Sequence, residues 1–162
     1  MVAEVLRLTL KEKGVMGRAI KYGVFMFMAI GGFFLAVNAI GYGHVTELRI
    51  VNILFIILFS NLLARKNWIE EDGIEYVGNF LSILSANIVN VLICMIGFIV
   101  YISMYDPEYL NTVSNGLLWS SESSLAQVLI ALFFEGMAGS AVVSFAIMQY
   151  WKDRKRQHRT VF

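Results

Sequence analysis

Four long blocks of apolar residues, separated by short polar segments, dominate the pattern along this chain. The blocks cover residues 22–40, 48–63, 76–105 and 126–151. A helix needs roughly 20 mostly apolar residues to cross the hydrocarbon core of a bilayer. The pattern therefore predicts an all-α, polytopic membrane protein with four transmembrane helices. We expect one bundle over residues 22–151, an interfacial segment over residues 1–21 and a basic tail over residues 152–162.

The composition of the chain favours the same class of protein. Charged residues make up 15% of the 162 positions, whereas soluble domains carry about 25%. The single cysteine, Cys94, lies inside an apolar block. Neither an internal disulfide bond nor a metal site built from several cysteines is therefore expected.

The first 21 residues allow two interpretations. Leu6, Leu8 and Leu10 alternate with polar residues as in a strand, while Val2, Leu6 and Leu10 also share one helical face. This stretch is either a segment on the membrane surface, with its basic residues at anionic lipid headgroups, or a loosely ordered basic leader.

Basic residues divide unequally between the two sides that four spans define. The side that holds both termini has twelve of the 13 Lys and Arg residues, and the opposite side has only Arg49. Loops rich in Lys and Arg stay in the cytoplasm. We therefore predict cytoplasmic N- and C-termini and an exported loop at residues 106–122. The twelve are Arg7, Lys11, Lys13, Arg18, Lys21, Arg65, Lys66, Lys152, Arg154, Lys155, Arg156 and Arg159.

Two helix starts are encoded in the loop between the third and fourth spans. Asp106 before Pro107 is typical of an N-cap followed by proline at the first helical position, which predicts a short amphipathic helix in the outer loop. Ser124 and Gln127 have the spacing of a capping box and predict the start of the fourth span.

The third block carries a polar and small-residue stripe at helical spacing. Such a stripe forms either a hydrophilic path or, more commonly, a set of interhelical hydrogen bonds and close contacts. In the first span, Gly31, Gly32 and Ala36 predict a similar close-packing surface. The stripe on the third block consists of Asn79, Ser82, Ala86, Asn90, Cys94, Gly97 and Tyr101.

The fourth block contains a carboxylate near its middle, Glu135. A charge at this depth usually faces protein or a water-filled cavity. We expect the head group to turn inward and to meet a polar side chain at matching depth, with Asn90 and Ser60 as the leading candidates. Small residues four apart let another helix approach closely. The packing surface predicted on this helix consists of Gly136, Ser140 and Ser144.

The chain offers little else that would support catalysis. His44 and Glu47 form at most half of a metal site, and the acidic run at residues 70–73 lacks the rest of a calcium loop. No histidine falls inside a predicted span, which excludes a haem held by two intramembrane histidines. We therefore predict no catalytic residues, no metal and no cofactor. The expected partners are bilayer lipids and other membrane protein subunits, bound through the fourth span, and not nucleic acid.

The layout resembles a family of small, uncharacterised bacterial inner-membrane proteins, common in Bacteroidetes and catalogued as a domain of unknown function. The specific element is the run from Asp106 to Leu110, Asp-Pro-Glu-Tyr-Leu, after a long third helix. The resemblance implies a four-span fold and the bacterial inner membrane as the compartment, but no activity.

Two functions from different classes remain open. The first is a non-enzymatic subunit or assembly factor of a larger inner-membrane complex. The second is a small oligomeric transporter or channel with Glu135 as a proton or cation site at the membrane midplane. A bundle of this size has few helices with which to enclose a solute path, so transport requires self-association.

Overall fold

The computed structural model is helical throughout the part of the chain that it describes. It describes the backbone of residues 2–42, 49–70, 76–115 and 124–159, and the side chains of residues 14–42, 50–68, 76–111, 113–114 and 124–152. Five helices occupy these ranges, which confirms the all-α prediction. They are α1 (Val2–Ala39), α2 (Arg49–Glu70), α3 (Tyr76–Met104), α4 (Tyr109–Asn115) and α5 (Leu125–Arg159).

Within the described residues, four helical segments are long and apolar enough to cross a membrane. They are Gly14–Ala39, Ile50–Trp68, Tyr76–Met104 and Leu125–Lys152. The 29 residues of the third segment extend over about 43 Å at 1.5 Å per residue. That length exceeds the roughly 30 Å of hydrocarbon in a bilayer, so this helix tilts or projects. The chain is a multi-pass membrane protein with a short helix between its last two spans.

The four long helices form a bundle in the order α1, α3, α5, α2, with α2 also approaching α3 across the centre and α4 contacting α5. Trp68 and Trp151 pack together at the end of the bundle where α1 begins and α5 finishes, with ring centroids 6.1 Å apart. We call this end the basic end. Asp106 and Glu108 lie at the other end, which we call the acidic end.

The apolar core lies where the long helices meet. Met26, Leu63 and Ile83 are completely buried there. Large apolar side chains also cover the outside of the bundle, for example Leu54, Ile96 and Val142, which are 61%, 61% and 69% exposed. Such side chains match the hydrocarbon chains of lipid, so the exterior of the bundle is as apolar as a membrane requires.

Helices α1 and α3 approach each other closely at Gly23. A Cβ atom at this position would lie 2.6 Å from the Ala86 carbonyl oxygen and 2.9 Å from the Val89 Cβ. The expected packing surface at Gly31, Gly32 and Ala36 is therefore misplaced. Gly32 and Ala36 are exposed, and a Cβ at Gly32 would meet nothing within 4 Å.

The predicted start of α5 is confirmed, whereas the short helix expected to begin at Pro107 begins two residues later, at Tyr109. The Asp106 Oδ1 accepts a hydrogen bond of 3.1 Å from the backbone N–H of Tyr109, and a turn at residues 107–108 leads into α4. At the start of α5, the Gln127 Oε1 accepts from the Ser124 N–H at 2.9 Å, and the Ser124 Oγ accepts from the Gln127 N–H at 3.4 Å. These reciprocal bonds are those of a capping box.

Three element boundaries differ from the prediction. Helix α1 continues without a break from Val2 to Ala39, so the expected interfacial segment, from Val2 onward, and the first span belong to one helix. Helix α2 extends to Glu70 through residues expected to form a loop, because Ala64 and Asn67 are buried in the bundle. Helix α5 continues to Arg159 and includes most of the basic tail. His44, Glu47 and residues 71–73 lie outside the described residues.

Candidate functional site

One group of polar side chains in the interior lies near the basic end. The Arg18 Nε on α1 donates to the Asn67 Oδ1 on α2 at 3.0 Å. The Asn67 Nδ2 in turn donates to the Asn79 Oδ1 at 3.1 Å and to the Ser82 Oγ at 2.9 Å, both on α3. Asn67, Asn79 and Ser82 are all buried. This group therefore links three helices near the basic end, and Arg18 is not confined to lipid headgroups.

A second polar group lies deeper in the bundle and centres on Asn87. The Ser60 Oγ of α2 donates to the Asn87 Oδ1 at 3.2 Å, and the Asn87 Nδ2 donates to the Ser144 Oγ of α5 at 3.1 Å. The Ser144 hydroxyl then donates to the Ser140 carbonyl oxygen at 2.7 Å. Asn87 thus connects α2, α3 and α5 through one amide group.

These bonds give the polar stripe of α3 a packing role. Asn79 and Ser82 bond to another helix, while the Cys94 Sγ donates to the Asn90 Oδ1 within α3 at 3.5 Å. Interhelical hydrogen bonds of this kind average about 0.6 kcal/mol in a membrane protein. Their value lies in fixing the register of the helices, since a shift of one turn would leave buried amides without partners.

One buried hydroxyl group, that of Ser140, takes no part in these interhelical hydrogen bonds. The Ser140 side chain is 1% exposed, and its Oγ has no hydrogen-bond partner in the described part of the chain. Its carbonyl oxygen, in contrast, accepts the bond from Ser144. The buried position of Ser140 therefore uses the small size of its side chain rather than a hydrogen bond from its hydroxyl group.

Gly136, Ser140 and Ser144 all face the interior of this chain. A Cβ at Gly136 would lie 3.0 Å from a methyl group of Val91 on α3, and both serines are buried. The predicted small-residue surface is thus occupied by α3 and is not free to receive a partner subunit.

Glu135 does not join the buried polar groups, so the expectation that its head group turns inward is wrong. The side chain is exposed and makes no hydrogen bond to any described residue. Its expected partners bond elsewhere: Ser60 donates to Asn87, and Asn90 accepts from Cys94. The physical reason is helical phase. Consecutive side chains of an α-helix differ by about 100° around the helix axis. Glu135 therefore lies on the outer side of α5 when Gly136 faces α3.

Glu135 lies on a second small-residue surface of α5, which points out of the bundle. At Gly139, one turn further on, a Cβ would meet nothing within 4 Å. Small side chains at three- and four-residue spacing continue this surface toward the basic end. We call it the Glu135 face, and its exposed members are Glu135, Ala138, Gly139, Val142 and Ala146.

The depth of Glu135 in the membrane follows from the position of its neighbour Gly136 relative to α3. Its neighbour Gly136 contacts Val91, which lies midway along α3 (Tyr76–Met104). Ten residues at about 1.5 Å each place Glu135 about 15 Å from Leu125, the first residue of α5. The carboxylate is therefore near the middle of the apolar span, on its lipid-facing side.

No described basic side chain lies at that depth. The described Lys and Arg side chains all belong to the basic end of the bundle. They are Arg18, Lys21, Arg65, Lys66 and Lys152. Within the described residues, Glu135 is thus an acidic side chain at mid-depth with no basic side chain at the same depth.

Aromatic side chains fill the acidic end of the bundle. The Phe34 ring contacts Tyr101 and Tyr109 edge to face at 5.0 and 5.4 Å between centroids. The Asn38 Nδ2 donates to the Tyr101 hydroxyl at 2.8 Å. This cluster fixes α1, α3 and the start of α4 to one another above the apolar middle of the bundle.

Among the described residues, no three His, Cys, Asp or Glu side chains gather where they could hold a metal ion. The chain matches no family model, and neither the curated proteins nor the solved structures contain a significant match to it.

Proposed function

We propose that this protein is a non-enzymatic integral membrane subunit, or an assembly factor, of a larger membrane complex. Its docking surface is the Glu135 face of α5. The observation that carries this proposal is the exposed carboxylate of Glu135, which lies at mid-depth without a hydrogen-bond partner in the described chain.

Energetics favour a partner at this surface. A charged side chain at the centre of a membrane helix costs about 2.5–3.5 kcal/mol on insertion scales. A neighbouring helix with a basic side chain that pairs with the carboxylate offsets part of that cost. The exposed Gly139, with open space around it, allows the backbone of such a helix to approach closely.

The interior of the bundle is consistent with a structural role. Asn67 and Asn87 are each bonded through both their carbonyl and amide groups to side chains of this chain. Polar groups that satisfy one another fix helix register and are not directed toward a substrate.

An oligomeric transporter or channel is the second candidate. Because Glu135 is exposed on the outside of the bundle, it would line a path only where several copies surround a common axis. In that arrangement, the same face would contact other copies of this chain.

We further propose that the complex lies in the bacterial inner membrane with both termini in the cytoplasm. The excess of basic residues at the end that carries the termini favours this orientation, and so does the resemblance to four-span inner-membrane proteins. Single cysteines at Ser121 and Thr160, in a Cys94→Ala background, test it. A membrane-impermeant maleimide should label position 121 from outside intact cells, whereas labelling of position 160 would contradict the topology.

The function is tested by purification from native membranes in mild detergent, followed by native mass spectrometry. We expect a particle that contains this chain and at least one different membrane protein in a fixed ratio. A particle made only of this chain would favour the oligomeric transporter. A monomer that still supports the biological process lost on deletion of the gene would contradict both functions.

A further inference from the structure

We infer that the docking element on the Glu135 face is a transmembrane helix of a different protein, with a Lys or Arg near its middle that pairs with Glu135. This inference rests on the proposed subunit function and specifies the chemistry of the partner.

The charge requirement follows from depth. Glu135 adjoins Gly136, which packs against the midpoint of α3. The ends of the apolar span Leu125–Lys152 are therefore about 15 Å and about 25 Å away along the helix. At that depth an acidic side chain normally pairs with another intramembrane group. Interactions between opposite charges are also much stronger there than in water.

Among the described side chains, none supplies the counter-charge at this depth, and the same described side chains of a second copy do not supply it either. The described basic side chains lie at the basic end, with Lys152 the nearest of them along α5 at about 25 Å from Glu135. A second copy docked on the same face would bring a second carboxylate to the first, and like charges repel. A different protein with a basic residue at mid-span is therefore the complementary occupant.

The shape of the Glu135 face suits such a helix. Gly139 lies one turn from Glu135, and Ala146 lies on the same side two turns further on. Close approach at these small residues places the partner's backbone near α5. A long Lys or Arg side chain then reaches the carboxylate without leaving the apolar layer.

The test is site-specific photo-crosslinking in the membranes of cells that express the full-length protein. A photoreactive amino acid replaces Val142, which is 69% exposed on the Glu135 face. The matched control replaces Leu92, which is 46% exposed on α3. Crosslinked peptides are mapped by mass spectrometry, so that the contacted segment is read directly.

The inference predicts that position 142 crosslinks to an apolar span of another protein with Lys or Arg near its centre, and that position 92 does not. Glu135→Gln should lower the yield roughly tenfold or more, the scale for loss of one partner of a desolvated charge pair. Glu135→Lys combined with a Glu at the partner's basic position should restore the yield. The carboxylate is exposed, so neither variant disturbs the buried core.

Other outcomes overturn the inference in distinguishable ways. A crosslinked span without Lys or Arg, or a yield that Glu135→Gln leaves unchanged, would reject the charge pair while the subunit function stands. Crosslinks only to other copies of this chain would reject the inference and favour the oligomeric transporter. Crosslinks only to lipid would reject both the inference and the proposed subunit function.

Discussion

The Asn87 Nδ2 of α3 donates to the Ser144 Oγ of α5 across 3.1 Å in the buried interior of the bundle. Because the same Asn87 amide accepts from Ser60 of α2, this one bond belongs to a contact that sets three helices relative to one another. On α5, the helix that carries Ser144, Glu135 points out of the bundle. The packing of α5 against α2 and α3 therefore determines that Glu135 lies on the outer surface of the bundle.

Ser144→Ala should destabilise the bundle, because it leaves the Asn87 amide without its acceptor. We expect a loss of about 0.6–1.7 kcal/mol in the free energy of unfolding, the range for interhelical hydrogen bonds in membranes. The matched control is Ser140→Ala, which removes a buried hydroxyl that has no partner in the described chain and should be neutral or slightly stabilising. Steric trapping in bicelles measures both. Equal losses would refute the assignment of the bond to Ser144.

Gly23→Ala should push α1 away from α3, because its Cβ would lie 2.6 Å from the Ala86 carbonyl oxygen. We expect a loss of roughly 1–3 kcal/mol in unfolding free energy, as for overpacking in other cores. Gly32→Ala, with nothing within 4 Å of its Cβ, should be neutral or more stable by up to about 1 kcal/mol from helix propensity. A Gly23→Ala protein as stable as the Gly32→Ala protein would show that α1 and α3 are not in close contact there.

Gly136→Leu should separate α5 from α3, since even a Cβ at this position comes within 3.0 Å of Val91. Gly139→Leu is the control on the same helix, because the space around Gly139 is open. We expect the first variant to lose at least about 1–3 kcal/mol of unfolding free energy and the second to retain the stability of the parent. The reverse order would mean that α5 is rotated from the orientation described above.

Asp106→Ala should weaken the start of α4 by about 1 kcal/mol, because the Tyr109 N–H loses its side-chain acceptor. Asn is an equally good N-cap, so Asp106→Asn should preserve the helix start. Amide hydrogen exchange over α4 (Tyr109–Asn115) reports the difference. Faster exchange in both variants alike would indicate that the charge of Asp106, rather than its capping oxygen, stabilises the helix.

The fold could be predicted from the sequence because membrane spans and helix caps depend on residues that are close together in the chain. Apolar blocks of spanning length predicted four helices, and Ser124 with Gln127 predicted the start of α5. Asp106 predicted a helix in the loop, which begins at Tyr109 rather than at Pro107. The end of α2 was missed for a tertiary reason. In the sequence, Asn67 beside Arg65 and Lys66 is typical of a loop. In the structure it is buried and forms hydrogen bonds to α1 and α3.

The candidate site was harder to predict, because it depends on which side of each helix faces the neighbouring helices. Helix α5 has small residues on two sides, one through Gly136 and one through Gly139, and the sequence does not say which side the bundle uses. Gly23 shows the same difficulty on α1. Its small neighbour at four-residue spacing, Ala19, lies before the predicted start of the span at residue 22. The close helix contact at Gly23 was therefore missed, while the exposed Gly32 resembled one.

The most direct test of the central claim is the ratio of co-purified partner to this protein in the Gly139→Leu variant. Gly32→Leu is the control, because both glycines are exposed on spanning helices with open space around them. If the Glu135 face is the docking surface, a Leu at position 139 blocks close approach of the partner, and the ratio should fall roughly tenfold. The ratio in Gly32→Leu should match the parent. A Gly139→Leu protein that retains its partner at the parental ratio would contradict the account.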